Sequence, residues 1–306
     1  MERPDLNGLI AAIVTPMRSD ASIDEGSLRR YVDWLADQGV RGLAVNVDTG
    51  EGPHLFPEER LRVLQVVTEQ VGGRAIVVAG LAASFTEQAR RLAADSARAG
   101  ADALLVFPIS AYQGEPLDPE IPASYHRAVA EASGLPLIAF QLQPALGGVN
   151  FSAETIECIM SVNGVVAIKE ASFDAKRFVE TARLVKSLPS RPTVLNGNDN
   201  FLLEAYVLGA EGALLGFGTL AAREQVQMHQ AVCDRDLPRA FELRDRLQPL
   251  CDAIFALPVR DYRARVKHAL MRLGVIDESH VRPPLRPLSK DARDVVDGAL
   301  REAGLL

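Results

Sequence analysis

Short apolar runs alternate along the chain with longer amphipathic segments. Each run has four to six residues and is rich in Val, Ile, Leu and Ala, which is typical of strands buried on both faces of a parallel sheet. Most neighbouring runs lie roughly thirty residues apart, the size of one strand–helix unit. The pattern therefore predicts eight parallel strands, at Leu9–Val14, Gly42–Asn46, Ala75–Ala79, Ala103–Phe107, Leu137–Gln141, Val165–Lys169, Thr193–Asn196 and Gly212–Leu215.

Helices are predicted between most of these strands. One begins at Pro57, and another begins at Ser152. A third is expected to follow Ser84, where Glu87 three residues later would complete a capping box.

Eight strand–helix units favour a closed (β/α)8 TIM barrel over an open sheet. No G-x-G-x-x-G motif follows the first strand, which removes the main support for a dinucleotide-binding fold. Beyond about Ala221 the pattern is helical to the end, and Pro258 and the segment 282–284 divide it into about three helices. We therefore expect a barrel at 1–233 that carries the active site and a C-terminal helical extension at 234–306.

Composition and charge narrow the class of protein. Of the 306 residues, 48% are apolar and 24% are charged, which is enough apolar material for a large core. The formal net charge is −7 and no stripe of Lys or Arg occurs, so nucleic acid is not expected as a partner. The first apolar run is too short for a signal sequence or a membrane span, which predicts a cytoplasmic protein without a membrane partner.

The sixth run ends in Lys169, one of only five lysines in the chain. Active sites of such barrels lie at the carboxyl ends of the strands. Burial there would lower the pKa of the amine, and a neutral amine attacks a ketone to form an iminium, which accepts electrons during bond cleavage. The alternative is a structural lysine paired with Glu170 or another carboxylate.

Polar residues also follow the second and fifth runs. Thr49 and Gly50 offer a hydroxyl and backbone N–H groups that could hold a carboxylate, although a glycine-rich turn explains them equally well. Glu51 could anchor this loop. Gln141 and Gln143 could bind a polar substrate or satisfy the loop backbone.

Seven motifs are distributed along the chain, at the segments 8–16, 48–51, 167–171, 196–199, 209–212, 266–270 and 303–306. Together they resemble the dihydrodipicolinate synthase/N-acetylneuraminate lyase family over nearly the whole chain. The resemblance implies a TIM barrel with a C-terminal helical bundle, and Schiff-base chemistry at Lys169 on a 2-oxo acid. It also implies that no metal or organic cofactor takes part, and that the protein is a homotetramer or homodimer.

Departures from the family pattern are equally specific. Phe140 stands where the family has a tyrosine that relays protons, and Asp48 replaces a hydroxyl residue. Leu146 stands where the synthases have an arginine that binds the second substrate. A second tyrosine, expected at 107–110, is also missing, although Tyr112 lies nearby. The resemblance therefore predicts a Schiff-base enzyme that is not a true dihydrodipicolinate synthase.

Asp48 is the candidate to replace the lost proton relay, because a carboxyl group in an apolar barrel mouth can shuttle protons. Alternatively, Asp48 caps its loop or pairs with Lys169. Its charge would also repel a substrate carboxylate, at a cost of about 4 kcal/mol for charges roughly 4 Å apart.

These observations predict a lyase, either an aldolase or a dehydratase, that acts on a 2-oxo acid or related carbonyl compound through Lys169. The missing tyrosine keeps a non-catalytic metabolite-binding protein as an alternative. A metal-dependent aldolase is disfavoured, because the five histidines fall mostly in predicted helices and loops.

Overall fold

Eight parallel strands close into a barrel in the computed structural model, which describes residues 4–306. Each strand pairs with its neighbours in chain order, and the last closes on the first with Ile10 opposite Leu214. The predicted TIM barrel is confirmed. The strands are β1 Gly8–Ala12, β2 Gly42–Val45, β3 Ile76–Leu81, β4 Ala103–Val106, β5 Leu137–Leu142, β6 Val165–Ala171, β7 Thr193–Asn196 and β8 Gly212–Leu215.

Each strand coincides with a predicted apolar run to within two residues at either end. The difference that matters is in β6, which continues two residues beyond Lys169. Glu170 is still paired with Gln141 on one side and Asn196 on the other, so the sheet holds this segment as strand. The expectation that Lys169 ends its strand was therefore wrong.

Helices cover the outside of the barrel. The predicted starts at Pro57 and after Ser152 are confirmed, and the Ser152 side chain accepts a hydrogen bond from the Thr155 N–H. The capping box at Ser84 is wrong, because the Ser84 N–H donates to the side chain of Gln88 (2.8 Å) instead. The helices are α1 Glu25–Ala36, α2 Pro57–Val71, α3 Thr86–Arg98, α4 Glu120–Ser133, α5 Ala153–Met160, α6 Ala175–Ser187, α7 Leu202–Leu208 and α8 Ala222–Cys233.

The C-terminal extension consists of three helices, as predicted: α9 Leu237–Phe255, α10 Tyr262–Arg272 and α11 Lys290–Glu302. Apolar side chains of α9, such as Leu243 and Leu247, are buried in the same core as the outer face of the barrel. The division of the chain at residue 233 stays a prediction. Within residues 4–306, none of the helices has the length and apolar character needed to cross a membrane.

Alternation along the strands decides which side chains reach the inside of the barrel, because successive residues of a strand point to opposite faces. Ile138, Phe140 and Ala167 belong to the core inside the barrel. Lys169 is two residues from Ala167 and opposite Phe140, so it shares that inner face. Gln141 and Glu170 are the next pair along and face the surrounding helices.

A buried ion pair joins the extension to the loop that follows β2. The amine of Lys267, on α10, donates to the carboxylate of Glu51, and both side chains are fully buried. The same amine donates to the His280 carbonyl (2.7 Å), and the Arg282 N–H donates to the second oxygen of Glu51 (2.9 Å). The interpretation of Glu51 as a loop anchor rests on these contacts.

Removing one partner of this buried pair should be costly. We expect Lys267→Met to lower the free energy of unfolding by about 3–5 kcal/mol, because the Glu51 carboxylate would stay buried without a cation. Urea denaturation followed by circular dichroism measures the change. Lys290→Met is the control, since it breaks only an exposed pair with Asp294, and should have a far smaller effect. Equal losses in both variants would contradict this account.

Candidate active site

A cavity of about 370 Å³ lies at the carboxyl ends of the barrel strands. Side chains from the strands, from the loops after them and from the start of α10 form its walls. The charged and polar side chains among them are Asp48, Thr49, Lys169, Asp199, Arg260, Tyr262 and Arg263, and the aromatic ring of Phe140 lies beside them. Four of the residues predicted from sequence, Asp48, Thr49, Phe140 and Lys169, are therefore brought together.

Lys169 projects into this cavity from the inner face of β6. Its Nζ lies 4.3 Å from the centre of the Phe140 ring, and among the described residues no carboxylate forms an ion pair with it. Burial in the barrel mouth lowers the pKa of Lys169 to about 8, while the nearby negative charges of Asp199 and Asp48 act in the opposite direction. About a tenth of the amine is therefore neutral and nucleophilic at pH 7, far more than for an exposed lysine.

Glu170 does not pair with Lys169, contrary to the structural alternative. Its side chain lies on the outer face of the sheet, where it accepts hydrogen bonds from Gln141 (3.0 Å) and Asn198 (2.9 Å). The strand alternation separates the two neighbouring side chains, so the carboxylate cannot neutralise the amine.

Phe140 lies beside the amine, at the position where the sequence indicated a lost tyrosine. Its ring packs edge-to-face against Phe107, with 5.1 Å between ring centres. The aromatic wall of the cavity is thus present at position 140, but it offers no hydroxyl group there.

Asp199 is a site residue that the sequence reasoning missed. It follows β7 and is buried, and its carboxylate accepts a hydrogen bond from the Phe217 N–H (2.9 Å). Burial raises the pKa of Asp199 to about 6, against the opposing effects of that N–H and of Lys169. The rule that located Lys169, polar residues at strand ends, would also have located Asp199.

Gly197, just before Asp199, allows Lys169 to approach β7. A Cβ atom at position 197 would lie 2.7 Å from Cε of Lys169 and 2.8 Å from Cβ of Ala171. Any side chain at position 197 would therefore displace the lysine.

Asp48 is held by two residues of α10 that the sequence did not connect with it. The Tyr262 hydroxyl donates to Oδ2 of Asp48 (2.8 Å) and lies 3.4 Å from the Thr49 hydroxyl. The Arg263 guanidinium forms an ion pair with the Asp48 carboxylate and donates through Nε to its backbone carbonyl (2.8 Å). Burial raises the pKa of Tyr262 well above its usual value, so the phenol stays protonated.

Two glutamines predicted to bind substrate lie outside the cavity. Gln141 is buried on the outer face of β5, where its amide donates to Glu170 and its oxygen accepts from the Phe151 N–H (3.0 Å). Gln141 thus connects β5 to β6 and to the segment around Phe151. This structural role corrects the expectation that Gln141 binds substrate. Gln143 is not among the cavity-lining residues either, and its carbonyl holds the turn at Leu146.

Gly50 and Tyr112 also lie away from the cavity walls. A Cβ atom at Gly50 would lie 2.8 Å from the Ile13 carbonyl, so this glycine serves close packing of the loop on β1. Tyr112 is buried and packs edge-to-face on Tyr125, with ring centres 6.0 Å apart. The substrate-binding role expected for Gly50 stays a prediction that the cavity lining does not support, and Tyr112 is not placed to replace the missing tyrosine.

No group of three or more His, Cys, Asp or Glu side chains within residues 4–306 is arranged to hold a metal ion.

Comparison with known proteins supports the family resemblance over nearly the whole chain. Residues 5–303 match the model of the dihydrodipicolinate synthetase family. The 4-hydroxy-tetrahydrodipicolinate synthase of Methylobacterium radiotolerans is 33% identical over 301 residues, which cover 98% of this chain and 97% of that protein. The crystal structure of dihydrodipicolinate synthase from Thermotoga maritima is similar, with a TM-score of 0.89, 29% identity, and coverage of 98% and 99%.

A third relative was solved with a ligand. The chloride-inhibited dihydrodipicolinate synthase from Acinetobacter baumannii, complexed with pyruvate, has a TM-score of 0.87 and 30% identity. The match covers 98% of this chain and 100% of that one.

The lowered pKa of Lys169 is directly measurable. We expect reductive methylation of Lys169, followed by peptide mass spectrometry, to reach half its maximal rate near pH 8, because only the neutral amine reacts. A model lysine peptide, with a pKa of about 10.4, is the control. Asp199→Asn should move the midpoint to lower pH, since it removes a negative charge that favours the ammonium form. A midpoint equal to that of the peptide, or an upward move in Asp199→Asn, would refute the assignment.

Proposed function

The chain belongs to the dihydrodipicolinate synthetase family of Schiff-base lyases, and we propose that it cleaves or forms a bond in a 2-oxo acid or related carbonyl compound through an imine at Lys169. The observation that supports this most is the burial of that amine in the barrel mouth, with a lowered pKa and no carboxylate paired to it within the described residues. A neutral amine next to an open cavity is what imine formation requires.

The proposed chemistry begins with attack of the Lys169 amine on the carbonyl carbon, followed by loss of water. The resulting iminium withdraws electrons from the neighbouring carbon. In a carbon–carbon cleavage, the bond one position further breaks and its electron pair becomes the double bond of an enamine. In a dehydration, loss of a proton from the neighbouring carbon gives the enamine, whose electrons then expel the protonated hydroxyl as water and leave an unsaturated iminium. Because the iminium itself accepts the electrons, we propose that the reaction needs no metal or organic cofactor.

The Thr49 hydroxyl is our candidate for holding the substrate carboxylate. It lines the cavity, whereas the N–H groups of Gly50 and Glu51 donate to the carbonyls of Val47 and Asp48 within the loop. These two N–H groups are therefore already used within the loop, and the Thr49 hydroxyl is left as the main group that could bind the carboxylate. The ion pair between Asp48 and Arg263 also compensates for the charge that would repel a substrate carboxylate.

The substrate we propose differs from that of the synthases. Leu146 lines the cavity where the resemblance calls for a cationic side chain, and Phe140 replaces the relay tyrosine. The cavity wall at these two positions is apolar and offers no cation there. The arginines that line the cavity, Arg260 and Arg263, come from the segment 260–263 instead, and Arg263 is already paired with Asp48. We therefore propose a lyase whose substrate lacks a carboxylate at this end.

A non-catalytic metabolite-binding protein is the second candidate, and the missing hydroxyl at position 140 is the observation that favours it. Calorimetric binding of 2-oxo acids without covalent adduct formation would support this alternative.

We also propose that the protein is cytoplasmic and, as the resemblance implies, a homotetramer or homodimer. Sedimentation equilibrium measures the assembly, and a monomer would contradict this proposal.

Imine formation at Lys169 is tested by reduction. We expect borohydride treatment in the presence of pyruvate to add one reduced adduct to the peptide that contains Lys169, as detected by mass spectrometry. Lys169→Ala should give no adduct and should keep its fold, as judged by circular dichroism. Lys176→Ala, which removes an exposed lysine, is the matched control and should trap normally. An undiminished adduct in Lys169→Ala would disprove the proposal.

Synthase activity should be low. With pyruvate and aspartate semialdehyde, we expect turnover at least about 10²-fold below that of the Thermotoga maritima synthase measured in parallel. The loss reflects the cation that is missing at Leu146, since removing one partner of a charge pair with a bound carboxylate costs about 2–5 kcal/mol. Mass spectrometry of the condensation product provides the rate. Comparable rates for the two proteins would show that the apolar wall does not exclude this substrate.

A further inference from the structure

We propose that Tyr262 is a catalytic residue, the phenol that passes protons between the Lys169 adduct and the carboxylate of Asp48. This inference rests on the proposed function, since it assigns the proton carrier of the same imine chemistry. Of the residues that line the cavity within the described chain, Tyr262 is the only tyrosine. It comes from α10, not from the barrel strands.

The position of the Tyr262 ring is tightly fixed. The ring stacks on Phe255, with 5.2 Å between centres and 21° between planes, and the Arg263 guanidinium lies 4.9 Å from its centre. Gly216 lies beside both groups: a Cβ atom at that position would meet the Tyr262 ring at an ordinary contact distance (3.5 Å) but would crowd the Thr49 hydroxyl (3.2 Å). The phenol oxygen is therefore held at the cavity wall beside Thr49.

Polar contacts link the Tyr262 phenol to one group inside the cavity and to another at the cavity edge. Tyr262 is 8% exposed and donates to Asp48, whose side chain is 50% exposed. On the other side lies the buried hydroxyl of Thr49, our candidate for the substrate carboxylate. A proton that reaches Asp48 can exchange with water, so the chain Thr49–Tyr262–Asp48 links an enclosed reaction centre to solvent.

The charges around Thr49, Tyr262 and Asp48 define the starting state of the relay. Arg263 pairs with the carboxylate of Asp48 beside the Tyr262 phenol, and the phenol stays protonated. A protonated phenol that donates to a carboxylate can accept a second proton as it releases its own. Tyr262 thus needs no ionised form of its own to carry a proton.

In an aldol cleavage, the proton of the C4 hydroxyl moves to the Tyr262 oxygen while the phenol proton moves to Asp48. With carbons counted from the carboxyl carbon of the 2-oxo acid, the electron pair of the O–H bond becomes the second bond of the carbonyl group in the departing aldehyde. The electron pair of the C3–C4 bond becomes the C2–C3 double bond. The iminium π pair becomes the lone pair of the enamine nitrogen. Asp48 then returns its proton through Tyr262 to C3, which restores the iminium, and water hydrolyses it to release the 2-oxo acid and Lys169.

Asp199 is the competing carrier, since it is also buried and close enough to affect the charge of Lys169. Its carboxylate, however, accepts the Phe217 N–H, and its backbone carbonyl accepts the Cys251 thiol (2.9 Å). These contacts fix Asp199 in the cavity wall, and no tyrosine or threonine hydroxyl of the described residues forms a hydrogen bond with its side chain.

The test uses pyruvate as the probe, because hydrogen exchange at its C3 in D2O requires imine formation followed by proton transfer. We expect Tyr262→Phe to keep the stacked ring and the yield of borohydride trapping, but to lower C3 exchange, followed by proton NMR, by about 10²–10⁴-fold. Asp48→Asn should lower exchange similarly, and the double variant should lose little more, since both residues serve one path. Tyr112→Phe, which removes a buried phenol outside the cavity, should exchange at the wild-type rate.

The outcomes distinguish failure of imine formation at Lys169 from failure of the Tyr262 relay. Absence of trapping in the wild type would overturn the proposed function, whereas normal trapping and normal exchange in Tyr262→Phe would overturn this inference alone. Should Tyr262→Phe fail to fold, incorporation of fluorotyrosine at position 262 provides the second test. Its more acidic phenol should change the exchange rate and its pH profile if Tyr262 transfers the proton, and an unchanged profile would overturn the inference.

Discussion

Burial of a single amine at the mouth of an apolar barrel is the constraint on which this site depends. Water stabilises an ammonium ion far better than an apolar wall does, so enclosure shifts Lys169 toward its neutral form. A direct ion pair would cancel this effect. The strand alternation prevents it by turning Glu170 to the outer face, while Asp199 and Asp48 stay close enough only to moderate the shift.

The C-terminal extension completes the site as well as covering the barrel. Lys267 holds Glu51 at the base of the loop after β2, and four residues earlier on the same helix Arg263 holds Asp48 at its tip. Because α10 contacts this loop at both points, its first turn also places Tyr262 against Thr49 and Asp48. One helix thus fixes the loop and contributes a phenol, which couples the stability of the extension to the chemistry in the barrel.

Much of the fold follows from local pattern. Apolar runs with regular spacing predict the eight strands, since strands covered by helices on one side and closed around a core on the other need apolar residues throughout. Lys169 was found by the same logic, as a rare amine near the end of such a run. Gln141 was misassigned although the information was present: it is adjacent to Phe140, so the two must face opposite sides of the sheet.

Tyr262 and Arg263 illustrate what local pattern does not contain. They are 214 and 215 residues from Asp48 in the sequence, and they meet it only because the extension folds back over the barrel mouth. Nothing in the periodicity of α10 marks its first turn as part of a site. Asp199 lies between these cases, because it follows a predicted strand yet carries no signal of its burial until β8 and α9 pack around it.

Soaking crystals of the protein with pyruvate would show whether Lys169 forms the imine. We expect continuous electron density between Nζ of Lys169 and C2 of pyruvate, with the carboxylate at the Thr49 hydroxyl and C3 facing the Tyr262 oxygen. Pyruvate bound without a covalent link, or linked to any other lysine, would contradict this expectation.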